Sequence, residues 1–186
     1  MGTWIFLGIV AVIVLVGVTS YNSLVGLRQR CKQAFGDIDV QLKQRHDLIP
    51  NLVETVKGYA THERGTLDDV IKARNAAMGA QGPAAQAQAE GQLSGALGRL
   101  IALSEAYPDL KANTNFLELQ SQLADIENKL AAARRFFNNA AAEYNSSREG
   151  IPNVFFAASM GFAPQEFFNL EEGERKQASA PPQVKF

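Results

Sequence analysis

The side chains able to do chemistry are few and scattered. Asp37 and Asp39 could form a carboxylate pair, but residues two apart on a helix point away from each other and share no site. Asp39 is better placed to pair with Lys43, four residues on. His46 and His62 are the two histidines, sixteen residues apart, on opposite sides of an ideal helix. His62-Glu63 does not begin a zinc-protease motif, because Thr66 stands where the second histidine would be. Cys31 is the one cysteine, with no general base at a neighbouring helical position, so it reads as a small hydrophobe. A lone cysteine excludes a disulfide framework, a redox pair and a Cys-rich zinc site. Nucleophile elbows and phosphate-binding loops are absent. Gly91, Gly95 and Gly98 follow no strand and form no dinucleotide fingerprint; they suit close backbone approach or local flexibility. Arg134-Arg135-Phe136-Phe137 mixes cations with aromatics, and Asn145-Ser146-Ser147 matches a glycosylation sequon that a cytoplasmic helix would not use. No metal, cofactor or catalytic residue is predicted.

The composition agrees. The 186 residues carry 18 basic and 19 acidic side chains, a net charge of −1, which leaves no electrostatic footprint for nucleic acid. These proportions are ordinary for a globular chain and point to anchoring or scaffolding over catalysis.

The elements that position these residues are all helical. Residues 3–19 contain no charge, and seventeen residues span about 25 Å as a helix, the short end of what crosses a bilayer. The apolar side chains are Trp4, Ile5, Phe6, Leu7, Ile9, Val10, Val12, Ile13, Val14, Leu15, Val16 and Val18, with Trp4 and Tyr21 bracketing them at headgroup depth. A signal peptide would need a basic start and a small-residue cleavage site, and neither stands out. No Lys or Arg precedes the segment, whereas Arg28, Arg30 and Lys32 follow it. The positive-inside rule then puts the N-terminus outside and the remainder in the cytoplasm.

Beyond the anchor, Leu24, Leu27, Cys31, Ala34 and Ile38 continue one apolar seam without a break. Pro50 removes the donor for the His46 carbonyl and predicts a kink or a helix restart. Ile49, Leu52, Val56 and Tyr59 resume the seam, with helix expected through Arg74 to Met78. A loop at residues 79–83 precedes a helix that starts near Pro83, carries Leu93, Leu97, Leu100 and Ser104, and ends near Glu105. Phe116, Leu119, Leu123, Ile126, Leu130, Ala133, Phe137, Ala140 and Tyr144 form a heptad seam on a helix from about 113 to 148, capped by Asn113 or Thr114. Asp125 and Lys129 make a favourable pair on its outer face. Gly150-Ile151-Pro152 ends it. The aromatic segment Val154–Phe168 is expected to close the end of the bundle as a lid, and residues 171–186 to form a disordered tail. The fold class is therefore all-α. An N-terminal transmembrane helix (1–20) runs on into an elongated antiparallel four-helix-bundle-like domain (21–170).

The ordered motifs resemble the LemA family. They are Tyr21-Asn22-x-Leu24-Val25 after the apolar helix, the run from Ile38 to Val53, Val56-Lys57-Gly58-Tyr59-Ala60 with His62-Glu63, and Ala73-Arg74. Further on come Tyr107-Pro108-x-Leu110-Lys111-Ala112-Asn113, Leu119-x-x-Gln122-Leu123-x-x-Ile126-Glu127, Ala133-Arg134-Arg135, Tyr144-Asn145, Pro152 and Gly161-Phe162. Phe35 stands where the family usually has a large aromatic. The resemblance implies a bacterial single-pass protein of the inner membrane with a cytoplasmic helical domain. It implies no enzyme, and one branch of the family is linked to magnetosome membranes.

Two functions follow as expectations. The first is a membrane-anchored scaffold that self-associates or recruits a protein partner. Its polar surface would be Asp39, Gln41, Lys43, Arg45, Asp47, Pro50 and Asn51, residues that could instead satisfy the backbone around Pro50, with Asn51 or Arg45 bonding the freed carbonyl. The second is a small-molecule- or lipid-responsive sensor or accessory subunit with polar groups converging between helices, for which Asn138, Asn139 and Asn145 are candidates.

Overall fold

The computed structural model describes residues 1–60 and 62–169, so the tail expected at 171–186 lies outside the described residues. Five α-helices are present: α1 Gly2–Lys57, α2 Arg64–Gly79, α3 Pro83–Ser104, the single turn α4 Pro108–Lys111, and α5 Thr114–Glu149. A 3-10 turn follows at Asn153–Phe155, and no strand occurs among the described residues.

Helix α1 is one uninterrupted rod of 56 residues, about 84 Å long. Its first part is long and apolar enough to cross a membrane, and none of that window is buried against the rest of the chain. The Thr19 hydroxyl bonds back to the carbonyls of Leu15 and Val16, so the first polar side chain after the apolar run is satisfied by its own helix. From Leu24 onward one face is buried, through Cys31, Ala34, Ile38, Leu42, Ile49, Leu52 and Val56.

Of the kink or restart expected at Pro50, the restart does not occur, since the helix passes through it. The break comes instead at Gly58, and the helix expected to reach Met78 is two helices. The physical reason is burial. Leu67, Val70 and Ala77 of α2 share a core with Ile49, Leu52, Val53 and Val56. A straight helix would leave both sets in solvent, so the chain reverses over a corner in which Ala60 is buried and donates to the Val56 carbonyl at 2.8 Å. Tyr59, placed on the seam by spacing alone, is 41% exposed.

The long seam behaves as its spacing requires. Phe116, Leu123, Ile126, Leu130, Phe137 and Tyr144 of α5 are buried, with Leu119, Ala133 and Ala140 partly so. Asn113 caps the helix by accepting from the Phe116 amide at 2.9 Å, and the Asp125–Lys129 pair closes at 2.7 Å. The seam is filled from within the chain, by α1 together with α2, α3 and the segment after α5.

The core falls into three layers. At the distal end, residues from α1, α2, α3 and α5 pack together. In the middle, Ala34, Ile38 and Leu42 meet Ala87, Leu130, Phe137 and Phe168. Nearest the apolar span, Leu24 and Cys31 meet Tyr144, Ala157 and Phe162. Four helices surround only the distal part. The 22 residues of α3 reach about 33 Å, whereas the 36 of α5 reach about 54 Å. The segment after α5 therefore covers the side of the α1/α5 pair that the α2/α3 hairpin is too short to reach, and is a strap along the bundle rather than a lid on its end.

Candidate functional site

A layer of buried charge lies between the distal and middle apolar layers. On α1, Arg45 and His46 sit between Leu42 and Ile49; on α3, Glu90 sits between Ala87 and Leu93; on α5, Glu127 sits between Leu123 and Leu130. Glu90 is 1% exposed and both its oxygens are taken. Arg45 Nη1 donates to one at 3.0 Å, and His46 Nε2 is hydrogen-bonded to the other at 2.6 Å. Arg45 Nη2 reaches Ser94 Oγ at 2.8 Å and Glu127 Oε2 at 3.2 Å. Arg134 completes the layer 3.6 Å from Glu127, its guanidinium 5.1 Å from the centre of the Phe168 ring. Two guanidiniums face two carboxylates, of which Glu90 is buried and Glu127, 44% exposed, stands at the layer's edge.

The carbonyl that Pro50 leaves without a helical donor is met from another helix. Arg74 Nε of α2 donates to the His46 oxygen at 2.7 Å. Neither Asn51 nor Arg45 does so: Asn51 is exposed, and Arg45 is committed to the acidic partners. This explains how α1 tolerates an interior proline, which ordinarily costs a helix about 3 kcal/mol. It also pins the α2 side of the hairpin to the charged layer.

A serine, a histidine and a glutamate in one layer invite comparison with a nucleophilic triad. The bonding order is wrong for that chemistry, because Ser94 accepts from Arg45 while His46 is bonded to Glu90. The layer holds helices in register; its groups are arranged to neutralise one another. It does open outward. A groove of about 450 Å³ between α3 and α5 has Arg45, Ser94, Gly98, Gln120 and Glu127 among its walls.

The predicted partner surface is divided by this arrangement. Asp39, Lys43, Asp47, Pro50 and Asn51 are exposed on α1, Gln41 is half-buried and Arg45 is interior. Asp39 accepts from Gln86 of α3 at 3.4 Å rather than pairing with Lys43. His46 is buried and His62 exposed, and among the described residues no three metal-ligating side chains gather. An added Cβ on Gly91, Gly95 or Gly98 would meet nothing within 4 Å, so these glycines do not serve close packing. Arg134 and Phe137 turn inward while Arg135 and Phe136 face out, which splits that cation–aromatic run between two faces.

Asn138 and Asn145 are committed to the segment after α5. Each uses both ends of its amide on the strap backbone. Asn145 bonds the carbonyl and amide of Gln165 at 2.9 and 2.8 Å, and Asn138 those of Phe168 at 3.1 and 2.8 Å. The register is geometric: seven helical residues rise about 10.5 Å, and three extended residues cover about 10 Å.

Sequence reasoning passed over Glu90, Ser94 and Arg74. For Glu90 a signal exists: it lies three residues after Ala87 and three before Leu93, a charge on an apolar stripe. Arg74 carries no such local mark. Burial raises the Cys31 thiol above its ordinary range, with Glu143 adding to it against a backbone hydrogen bond. Burial also raises the Tyr144 hydroxyl, which donates to the Ala163 carbonyl at 2.8 Å, although Arg28 and Arg148 oppose the shift.

Residues 34–186 match the model of the LemA family. Among curated proteins, the chain is 25% identical to magnetosome protein MamQ of Magnetospirillum gryphiswaldense, over 80% of this chain and 64% of that protein. It is 24% identical to magnetosome protein MamQ 2 of Paramagnetospirillum magneticum with the same coverage, and 24% identical to protein LemA of Metamycoplasma hominis over 67% of this chain and 58% of that one. The chain thus spans less than two-thirds of the length of these relatives.

Proposed function

We propose that this chain, which belongs to the LemA family, is a non-catalytic membrane-anchored scaffold whose bundle is held rigidly against the bilayer. The observation that carries this reading is the continuity of α1. One helix contains both the exposed apolar run and the seam on which the bundle is built, with no Gly or Pro break between Val18 and Leu24. Any surface on the bundle is then held at a fixed distance along the helix axis from the end of the span. The span is Trp4 to Val18. Arg28, Arg30 and Lys32 favour an N-terminus outside and a bundle in the cytoplasm of a bacterial cell. That relatives are named magnetosome proteins is consistent with a role at a membrane.

The partner surface is the exposed face of α1 around Asp39, Lys43, Asp47, Pro50 and Asn51. It borders a shallow groove where Gln44 and Asp47 face Gln122, Asp125 and Lys129 of α5. Its polar character fits reversible recruitment of a protein.

The test has two parts. With Cys31→Ser and Ser121→Cys on the outer face of α5, an impermeant maleimide labels the chain only after the inner membrane is opened. Labelling in intact cells would reverse the orientation. A photo-crosslinking residue at Asn51 captures a defined partner or a second copy. A strictly monomeric protein in mild detergent with nothing captured would sink the scaffold reading.

The groove beside Arg45 and Ser94 favours a second reading, a sensor for a small anionic molecule that competes with Glu127 for Arg45. Ligand-induced thermal stabilisation of the full-length protein across a panel of metabolites is its readout, and a flat response removes it.

A further inference from the structure

The segment after α5 leaves large apolar side chains in solvent for which the bundle has no use. Residues 151–165 contain no charged side chain. Ile151 is 83% exposed, Phe155 78%, Val154 48% and Met160 47%. These residues belong to a tightly held element. Asn153 Nδ2 donates to the Ser147 carbonyl at 2.7 Å, and Arg148 Nε donates to the Phe162 carbonyl at 2.8 Å. Gly161, at φ +77°, supplies the left-handed residue that lets the Phe162 amide reach back to Ala157 at 2.9 Å.

The element is also fixed in place along α1. Phe162 packs edge-on against Tyr21 with ring centres 5.5 Å apart, and Ala157 and Phe162 share a buried cluster with Leu24 and Cys31. Tyr21 lies three residues past Val18, a rise of about 4.5 Å. The exposed apolar side chains therefore belong to an element anchored beside the point where the apolar span ends. Arg28, whose guanidinium lies 4.9 Å from the Phe162 ring centre, and Arg30, paired with Glu143 at 3.6 Å, lie about two turns further along α1.

We propose that residues 151–160 form a second membrane contact, an interfacial foot whose Ile151, Val154, Phe155 and Met160 enter the leaflet from which α1 emerges. This rests on the reading of Trp4–Val18 as a membrane span. The occupant is the bilayer because the patch is continuous with that span and carries no charge, while the charges next to it along the chain, Arg148 and Glu149, pair with each other at 3.8 Å. Apolar side chains of such elements reach about 5–10 Å into the boundary between headgroups and acyl chains. Two contacts, span and foot, fix the tilt and rotation of the bundle, which a span alone leaves free.

The full-length protein in phosphatidylcholine–phosphatidylglycerol vesicles tests this by quenching with brominated lipids. Trp4 is the only tryptophan, so the unaltered chain reports the span. In a Trp4→Phe background, Phe155→Trp reports the foot and Leu117→Trp, exposed at the far end of α5, reports the solvent-facing bundle. Both new side chains replace exposed ones, so folding is not at stake. Trp4 and Phe155→Trp are expected to lose emission, the latter most with bromines near the headgroup end of the chains. Leu117→Trp is expected to stay unquenched. Quenching at Phe155→Trp no greater than at Leu117→Trp, with Trp4 still quenched, overturns the foot and leaves the patch to a protein partner. Loss of quenching at Trp4 overturns the span itself, and the foot with it.

Discussion

Arg74 and Pro50 make one structural unit from residues 24 positions apart. The proline strips the His46 carbonyl of its helical donor, and the arginine supplies another at 2.7 Å. Arg74→Ala leaves that carbonyl unmet and should cost about 1–3 kcal/mol in denaturant unfolding. Pro50→Ala returns an N–H to the helix, so Arg74→Ala should cost less in that background. Additive effects of the two substitutions would show that they are not coupled. Cys31 gives a second check. Its raised pKa keeps the folded thiol protonated at neutral pH, so maleimide should modify it slowly until the protein is unfolded. The sign for stability follows from the same shift. The folded thiol holds its proton more tightly than the unfolded one, whose value is 9.0, so this contribution is complete below that pH and falls as pH rises through it.

Among elements, the strap is the one whose placement depends on side chains of another. Its backbone has no strand to pair with, and the amides of Asn138 and Asn145 take the role that a neighbouring strand would play. Asn145→Ala should expose the strap to limited proteolysis near Gln165 and cost about 1–3 kcal/mol, with the α5 seam retained by circular dichroism. Asn145→Asp keeps the acceptor for the Gln165 amide and loses the donor to its carbonyl, and should fall between. Equal protection of all three proteins would mean that Phe162 and Phe168 hold the strap alone. Its helices were readable because heptad spacing and an Asn cap are local signals. The strap was not, because its apolar residues have no period and their destination is set by how far α3 falls short of α5.

The charged layer sets the register of the whole molecule. Sliding α3 along α1 by one turn would separate Glu90 from Arg45 and His46, burying Glu90 away from both and leaving Arg45 with Glu127 alone. Glu90→Leu should therefore destabilise the fold by about 3–5 kcal/mol, because Arg45 loses a buried partner. The double substitution Glu90→Leu with Arg45→Met removes both charges and should recover much of that loss, with the recovery read in the denaturation midpoint. Failure to recover would assign the layer a packing role beyond charge pairing.

The sequence alone determined the all-α class, the long seams of α1 and α5, a cap at Asn113 or Thr114, the apolar run and its basic flank. These depend on spacing within a few turns, where neighbours in sequence are neighbours in space. Only the tertiary structure decided that Pro50 does not stop α1, that the turn falls at Gly58, that Arg45 faces inward while Asp39, Lys43, Asp47 and Asn51 face out, and that Glu90 is the acid it meets. Each of those depends on residues of another element, as Pro50 does on Arg74 and Arg45 on Glu90. Helical period tells which residues share a face, but the element that will cover the face is chosen by length, burial and charge in three dimensions.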